Sequence, residues 1–290
     1  MTVGSYKIIT FGCQMNLADS GLLAAILNAH GYRSVEDERE ADLVILNTCS
    51  VRQRAEERVF GRLGELSALK RRDGGKRIAV VGCMAQRLGR AIPERAPYVD
   101  FVLGTDRLYD LPKYLAETEI APTIYTDFGY EHIDMIIPKR DSKYSAFVTI
   151  SRGCDNYCSY CVVPYVRGRE RSYPADQIIR QVQSYVEDGV LEVTLLGQNV
   201  NSYRGNGHDF ADLLKMIASK TGVRRIRFMT SHPKDLSDKL IETMASESKM
   251  MAHFHLPLQS GSDRILKKMG RVYSFDHYYS RVQKLRKAIP

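Results

Sequence analysis

Residues 43 to 49 read Leu43-Val44-Ile45-Leu46-Asn47-Thr48-Cys49, four aliphatic side chains in succession followed by a cysteine three positions further on. A strand with one wet face alternates apolar and polar residues. An unbroken aliphatic run therefore asks for cover on both faces, as in a parallel sheet between two helical layers. Ile78-Ala79-Val80-Val81 repeats the pattern and leads through Gly82 to Cys83. Outward from these runs, strand-like and helix-like segments alternate: Tyr6 to Phe11 then Ser20 to His30, Asp42 to Leu46 then Gln53 to Leu69, Arg77 to Val81 then Met84 onward, and Val99 to Leu103 then Arg107 to Leu115. The repeat predicts an α/β domain with a doubly wound parallel sheet.

Cys13, Cys49 and Cys83 each follow one of these strands closely, in Phe11-Gly12-Cys13, Asn47-Thr48-Cys49 and Gly82-Cys83. Open α/β sheets bind ligands at the carboxyl edge, near a switch in strand order, so three cysteines scattered in sequence are expected together in space. The plainer reading is three ordinary buried cysteines, since free thiols are at home in cores.

The chain has 290 residues, of which 44% are hydrophobic, enough for one large domain or two ordinary ones. It contains no run near the eighteen apolar residues of a membrane span, and its first residues, MTVGSYKIITFG, lack a secretion signal. The expectation is a cytoplasmic protein with no membrane partner. Six cysteines in that setting suit thiol chemistry or metal binding better than disulfides. The net charge of +8 is uneven. Residues 1 to 138 carry 17 basic against 19 acidic side chains, and residues 139 to 290 carry 25 against 15. A basic second half suits a polyanionic partner, or is simply a solvated surface.

Pro122, Gly129, Pro138 and the polar run Lys139-Arg140-Asp141-Ser142-Lys143 interrupt the repeat. This predicts a connecting segment over 121–143 between domains at 1–120 and 144–290. Beyond it, strands at Ser145 to Ser151, Glu192 to Leu196, Arg225 to Met229 and His253 to Leu258 alternate with helices near 175–188, 209–220, 236–247 and 263–269. That is a β/α barrel pattern, but four strands do not close a barrel. The chain ends in Arg286-Lys287-Ala288-Ile289-Pro290, where another strand should follow. The expectation is an incomplete, partial barrel in a fragment, or a barrel completed by another chain.

Just past the first of these strands, Cys154, Cys158 and Cys161 form a Cys-x3-Cys-x2-Cys run on one short loop. Three thiolates can hold three irons of a four-iron cubane and leave the fourth open to a small molecule. The alternative is a zinc knuckle, but structural zinc wants four ligands, commonly with Cys-x2-Cys pairs, and no fourth Cys or His follows nearby. His253 and His255 alternate along the last expected strand and so share a face, as a core or active-site lining or, failing that, a metal pair.

The loop Gly153-Cys154-Asp155-Asn156-Tyr157-Cys158-Ser159-Tyr160-Cys161-Val162-Val163-Pro164-Tyr165 resembles the signature of radical S-adenosylmethionine enzymes. It stands with FGCQMN at 11–16, LNTCSVR at 46–52, VGCMAQ at 81–86, LLGQNVN at 195–201, TSHP at 230–233 and LPLQSGSD at 256–263. Together these resemble the methylthiotransferases of that superfamily over nearly the whole chain. FGCQMN and NTCSVR are similar to the tRNA branch acting on N6-isopentenyladenosine 37. The threonylcarbamoyl-adenosine branch is a close relative, and the ribosomal-protein branch reads closer to LGCPKN and NTCGF. Members generally continue into a small C-terminal β-barrel module that grips RNA, so the expectation is a fragment that stops short of it.

The resemblance implies two [4Fe-4S] clusters, one on Cys154, Cys158 and Cys161 and an auxiliary one on Cys13, Cys49 and Cys83. It implies two molecules of S-adenosylmethionine per turnover, one cleaved reductively to a radical that abstracts the C2 hydrogen of adenine, the other donating a methyl group to the inserted sulfur. An unactivated C–H bond calls for such a cofactor, because side-chain acids and bases cannot open it. A tRNA substrate, a reducing electron donor and a sulfur donor are the implied partners. Gly197, Gln198 and Asn199 are then expected to meet S-adenosylmethionine, or else to form a strand-ending turn. Gln259 and Ser260 read as cofactor or substrate contacts, with Ser262 as a helix N-cap. Tyr160 is placed to meet the cofactor's adenine, although an exposed loop tyrosine needs no function. Arg167-Gly168-Arg169-Glu170-Arg171 either meets the RNA backbone or is a solvated loop. The rival class is a redox-sensing RNA-binding protein that uses its clusters structurally.

Overall fold

A computed structural model of the chain describes residues 3–50, 53–72, 74–116, 122–129, 136–140 and 142–290, the side chains of 53–55 excepted. Val51 and Arg52 of LNTCSVR, Asp141 of the polar run, and residues 121 and 130–135 of the connecting segment lie outside them. The chain divides into two compact units, 1–139 with 165–167, and 140–164 with 168–290.

The first unit is built on strands β1 (Gly4–Thr10), β2 (Tyr32–Ser34), β3 (Leu43–Thr48), β4 (Arg77–Gly82), β5 (Phe101–Leu103) and β6 (Thr123–Tyr125), all parallel in the order β2-β1-β3-β4-β5-β6. Helices α1 (Gln14–Ala29), α2 (Gln53–Arg72), α3 (Cys83–Leu88), α4 (Ala91–Arg95) and α5 (Leu111–Ala116) cover it. Every residue of β3 is buried, and its side chains divide between two cores. Val44 and Leu46 join Val59, Leu63 and Leu66 of α2 on one side, while Leu43 and Ile45 join Leu23 and Leu27 of α1 and Leu111 of α5 on the other. Cover on both faces is what the aliphatic run demanded. Each fully buried aliphatic side chain contributes about 1.5–3 kcal/mol relative to leaving it in water. The order of strands reverses between β1 and β3, which makes their carboxyl ends the switch point of the sheet.

Strand β6 corrects the sequence reading. Thr123–Tyr125 falls in the stretch expected to connect domains, yet it pairs in parallel with β5 through Phe101↔Thr123, Val102↔Ile124 and Leu103↔Tyr125. Pro122 stands just before the first ladder residue, where it removes no needed N–H.

In the second unit, strands β7 (Ser145–Thr149), β8 (Glu192–Leu196) and β9 (Arg225–Phe228) form a parallel sheet with β8 in the centre. Its helices are α6 (Val163–Arg167, whose residues 165–167 group with the first unit), α7 (Ala175–Glu187), α8 (Phe210–Lys220), α9 (Asp238–Ser246), α10 (Asp263–Lys268) and α11 (Phe275–Ala288). Asp209 caps α8 by accepting from Asp212 N at 2.9 Å, and Ser237 caps α9 by accepting from Leu240 N at 3.1 Å. This is a partial β/α barrel.

The fourth expected strand is absent among the described residues. His253 to Leu258 lie in no ladder, and the neighbouring contact with β9 is one isolated bridge, Ile226↔Met250. With no strand on its far side the segment has no second ladder to hold it extended, and His253 and His255 are both exposed instead of lining a core. No described helix is long and apolar enough to cross a membrane.

Candidate functional site

The three cysteines of the first unit stand at the carboxyl ends of three adjacent strands. Cys13 follows β1 and occupies the N-cap of α1, Cys49 directly follows β3, and Cys83 opens α3 after β4. Register alone brings them close, because Thr10 pairs with Asn47 and Thr48 with Gly82. Side chains then tie the loops together. Asn16, wholly buried, donates through Nδ2 to Asn47 Oδ1 and Thr48 O, both at 3.1 Å, while Asn47 Nδ2 returns a bond to Asn16 O at 2.8 Å. Asn16 Oδ1 also accepts from Cys13 N at 3.3 Å and lies 3.4 Å from Cys13 Sγ. Thr48 Oγ1 donates to Val81 O at 2.7 Å, which joins the Cys49 loop to β4.

Glycine is required at two turns here. Gly12 has φ +143°, and a Cβ on it would sit 2.4 Å from Asn16 Oδ1 and 2.8 Å from Cys49 Cβ. Gly82 has φ +92°, and its Cβ would meet Asn47 Oδ1 and Thr48 O at 2.7 Å. Both positions lie in backbone territory that L side chains avoid, and both allow one cysteine loop to press against the next. Neither Asn16 nor Asn47 was expected at the site. Asn16 left a signal, an asparagine three residues after Cys13 at the spacing of a capping contact, whereas Asn47 lies within β3 and left none.

Burial pushes the Cys83 thiol up, and the guanidinium of Arg167 offsets this only in part. Arg167 belongs to the first unit, where Nη2 donates to Asp19 Oδ2 at 2.8 Å, with both side chains almost fully removed from water. This corrects one expectation. Arg167 is not presented to an RNA backbone, because its charge is spent on a buried carboxylate. Arg169 is exposed, but its Nε is bound to Asp155 Oδ1 at 2.8 Å.

In the second unit the loop carrying Cys154, Cys158 and Cys161 is pinned at both ends. A two-residue antiparallel ribbon, Ser151–Arg152 with Arg171–Ser172, anchors its start. Gly153 then turns with φ +77° so close to the returning chain that a Cβ would lie 2.0 Å from Arg169 O. Gln198 Oε1 accepts from Gly153 N at 2.5 Å, and Gly168 O accepts from Cys154 N at 3.2 Å. At the far end, Ser159 donates through N to Met269 O and through Oγ to Lys268 O, both at 3.0 Å. The sulfurs have donors of their own. Asn156 Nδ2 lies 3.3 Å from Cys154 Sγ and Arg271 Nη1 lies 3.4 Å from Cys158 Sγ. Burial pushes the Cys154 and Cys161 thiols up, the former partly offset by Asn156. Protonated thiols must be deprotonated before metal binds, so loading of either trio falls with pH. Tyr160, between Cys158 and Cys161, is half exposed.

The strand-end residues divide. Gly197 makes room for Ser151 Oγ, which a Cβ would meet at 2.4 Å, so its missing side chain serves the protein's own packing. Gln198 holds the cysteine loop. Asn199 is buried and donates to Asp235 Oδ2 at 2.7 Å. Gln259 is exposed with φ +72°, Ser260 Oγ accepts from Ser262 N at 3.1 Å, and Ser262 occupies the N-cap of α10 without a side-chain capping bond. Ser262 thus stands at the expected N-cap position, but its side chain makes no capping bond. His232 of TSHP went unassigned in the sequence. It is buried, its Nδ1 accepts from Lys234 N at 3.3 Å, and its ring meets Tyr273 edge-on at 5.5 Å. Burial, with the charges of Arg271 and Lys234, holds its pKa down at about 3.

These residues fit iron–sulfur clusters and a polar cofactor by their chemistry. Each unit offers three free cysteines, the donor set of a four-iron cluster with one iron left open. Among the described residues, the buried Ser151 Oγ, Asn199 Oδ1 and Ser231 Oγ have no hydrogen-bond partner. They follow β7, β8 and β9, at the edge where barrels take ligands, and buried polar atoms left open in this way are satisfied by a bound group.

Residues 5–104 match the Uncharacterized protein family UPF0004, and residues 148–290 match the Radical SAM superfamily. The chain is 49% identical to the tRNA-2-methylthio-N(6)-dimethylallyladenosine synthase of Dictyoglomus thermophilum over 98% of this chain and 66% of that one. It is 46% identical to the protein of the same name from Carboxydothermus hydrogenoformans over 100% of this chain and 68% of that one. It spans about two thirds of the length of these curated relatives. Among solved structures it is similar to TsrM, a radical S-adenosylmethionine methyltransferase from Kitasatospora setae with tryptophan substrate and a SAM analog bound. That match has a TM-score of 0.70 and 12% identity over 98% of this chain and 66% of that one. The cobalamin-dependent S-adenosylmethionine radical enzyme OxsB matches at a TM-score of 0.69 and 12% identity, over 97% and 47%. At such identity the likeness is one of fold.

Proposed function

This chain belongs to the tRNA-2-methylthio-N(6)-dimethylallyladenosine synthase family, and from that premise we propose that it carries the machinery for inserting sulfur and a methyl group at C2 of N6-isopentenyladenosine 37 in tRNA. One observation carries the reading. Six free cysteines form two trios, each at the carboxyl edge of its own unit's sheet. In this reading Cys154, Cys158 and Cys161 hold one [4Fe-4S] cluster and Cys13, Cys49 and Cys83 hold the other. When bound, the first supplies reductive cleavage of S-adenosylmethionine, and hence hydrogen abstraction from an unactivated C–H bond, while the second supplies the site for the transferred sulfur.

The protein's own residues bind, orient and exclude water. Gln198 and the Ser151–Arg152 ribbon hold the Cys154 loop in one place, so that a cofactor on it meets a fixed target. Asn199, Ser151 and Ser231 offer oxygens to polar groups of S-adenosylmethionine. Asn16 and Asn47 would keep Cys13 and Cys49 in register while these thiols, on holding iron, release their protons to solvent. Tyr160, Gln259 and Ser260 complete the cofactor and substrate contacts. The reading takes the first unit, β6 included, as the methylthiotransferase domain and the second as the radical core. A low-potential electron donor and a sulfur donor serve it, and a tRNA substrate puts it in the cytoplasm.

The test is anaerobic reconstitution with iron and sulfide, followed by reduction in the presence of S-adenosylmethionine and tRNA bearing the isopentenyl group. Formation of 5′-deoxyadenosine together with a 2-methylthio nucleoside supports the reading. A reconstituted protein that forms no 5′-deoxyadenosine removes it, and mass analysis of tRNA nucleosides from cells lacking the protein decides the substrate.

A further inference from the structure

Arg271 is a buried cation that donates to a cysteine sulfur. The residue is 8% exposed, and among the described residues it forms no ion pair with a carboxylate. Nη1 donates to Cys158 Sγ at 3.4 Å, Nε to Tyr273 OH at 3.0 Å and Nη2 to Pro257 O at 3.4 Å. Tyr273 is itself buried and donates its hydroxyl proton to Leu258 O at 2.8 Å, so the guanidinium is fixed in the plane of a clamp.

The approach is built by a helix ending. Gly270, at φ +69°, follows α10, with Gly270 N bonded to Lys267 O at 3.1 Å and Arg271 N to Leu266 O at 2.9 Å. That pair of bonds is a Schellman ending, with glycine at the one left-handed position. It reverses the chain so that Arg271 turns back onto the cysteine loop, which the same helix end grips through Ser159.

We propose that Arg271 is a positioning and tuning residue that sets the reduction potential of a cluster held by Cys158. The proposal rests on the reading that Cys154, Cys158 and Cys161 bind such a cluster. One-electron reduction by an external low-potential donor adds one negative charge to the site. A fixed cation bonded to a ligand sulfur in a poorly solvated pocket stabilises the state carrying that added charge, and hydrogen bonds to sulfur and local charge are the means by which proteins set these potentials. His232 keeps to the neutral form nearby, so Arg271 is the lasting positive charge against the Tyr273 ring.

The experiment is an anaerobic potentiometric titration, followed by electron paramagnetic resonance, of the reconstituted full chain in a Cys13→Ala, Cys49→Ala, Cys83→Ala background, so that one cluster titrates. Arg271→Gln is expected to lower the ratio of reduced to oxidised cluster at a fixed potential by about tenfold, which is a shift of about 59 mV to lower potential for a one-electron couple. Arg271→Lys should recover part of it, and Tyr273→Phe, which frees the guanidinium, should shift the same way by less. If Arg271→Gln does not hold iron, the lysine and phenylalanine variants decide. Unchanged potentials in variants with full iron content overturn the proposal, whereas absence of a cluster spectrum from the parent chain would overturn the ligand reading beneath it.

Discussion

Asp19 Oδ2 and Arg167 Nη2 meet at 2.8 Å although 148 residues separate them in sequence, and their side chains are 0% and 4% exposed. Removing one member of such a pair strands a buried charge, at a cost of about 3–5 kcal/mol, whereas replacing both with apolar residues of similar volume restores much of the loss. Arg167→Met alone is therefore expected to lower the urea midpoint of the apo chain sharply, and Asp19→Leu with Arg167→Met to lower it less. A double variant as unstable as the sum of its singles would show that the pair is not the unit.

The two cysteine trios should fail differently. Cys83→Ala is expected to abolish sulfur insertion while leaving reductive cleavage of S-adenosylmethionine within a few-fold of the parent, and Cys158→Ala to reduce both to background. Product analysis for 5′-deoxyadenosine and for the methylthio nucleoside in one reaction separates them. Equal loss of cleavage in the two variants contradicts the division of labour.

Gly12→Ala probes the crowding between the Cys13 and Cys49 loops. A methyl group there would lie 2.4 Å from Asn16 Oδ1 at a φ of +143°, a strain of about 1–3 kcal/mol that the Asn16–Asn47 pair must absorb. Iron bound after reconstitution should fall by roughly half, with the loss confined to the first unit. Full iron content in Gly12→Ala would show that the contact is easily relieved.

His232 predicts an acid-side loss of stability. Its pKa is held down at about 3 in the fold against about 6.5 in an unfolded chain. Between those values the unfolded state binds a proton that the native state refuses. The stabilising contribution is thus complete above about pH 6.5 and declines as pH falls toward 3, by up to a few kcal/mol. Urea midpoints measured from pH 7 to 4 should drop less steeply in His232→Asn, whose amide oxygen can still accept from Lys234 N. Parallel slopes would assign the acid sensitivity elsewhere.

Much of the fold was legible because burial on two faces leaves a local mark. Leu43 to Leu46 and Ile78 to Val81 could be recognised as doubly covered strands without a partner in view, and the cysteine behind each then had a predictable address. Thr123–Tyr125 left no such mark. Three residues at a sheet edge carry too little pattern to outweigh the proline before them, and the pairing with Phe101–Leu103 that makes them a strand is a long-range event. His253 to Leu258 failed in the opposite way, with a strand-like alternation and one isolated bridge beside it.

The candidate site divides along the same line. Cysteine spacing is a covalent property of the chain, so the loop of Cys154, Cys158 and Cys161 and the strand-end positions of Cys13, Cys49 and Cys83 could be read directly. Which side chains would face those sulfurs could not. Arg271 reaches Cys158 across 113 residues, and Arg167 turns from an apparent RNA contact into the buried partner of Asp19. Local pattern determines elements because their hydrogen bonds and solvent faces are local. Charge pairing is decided by folding, because a buried cation takes whichever anion the packed chain brings within reach.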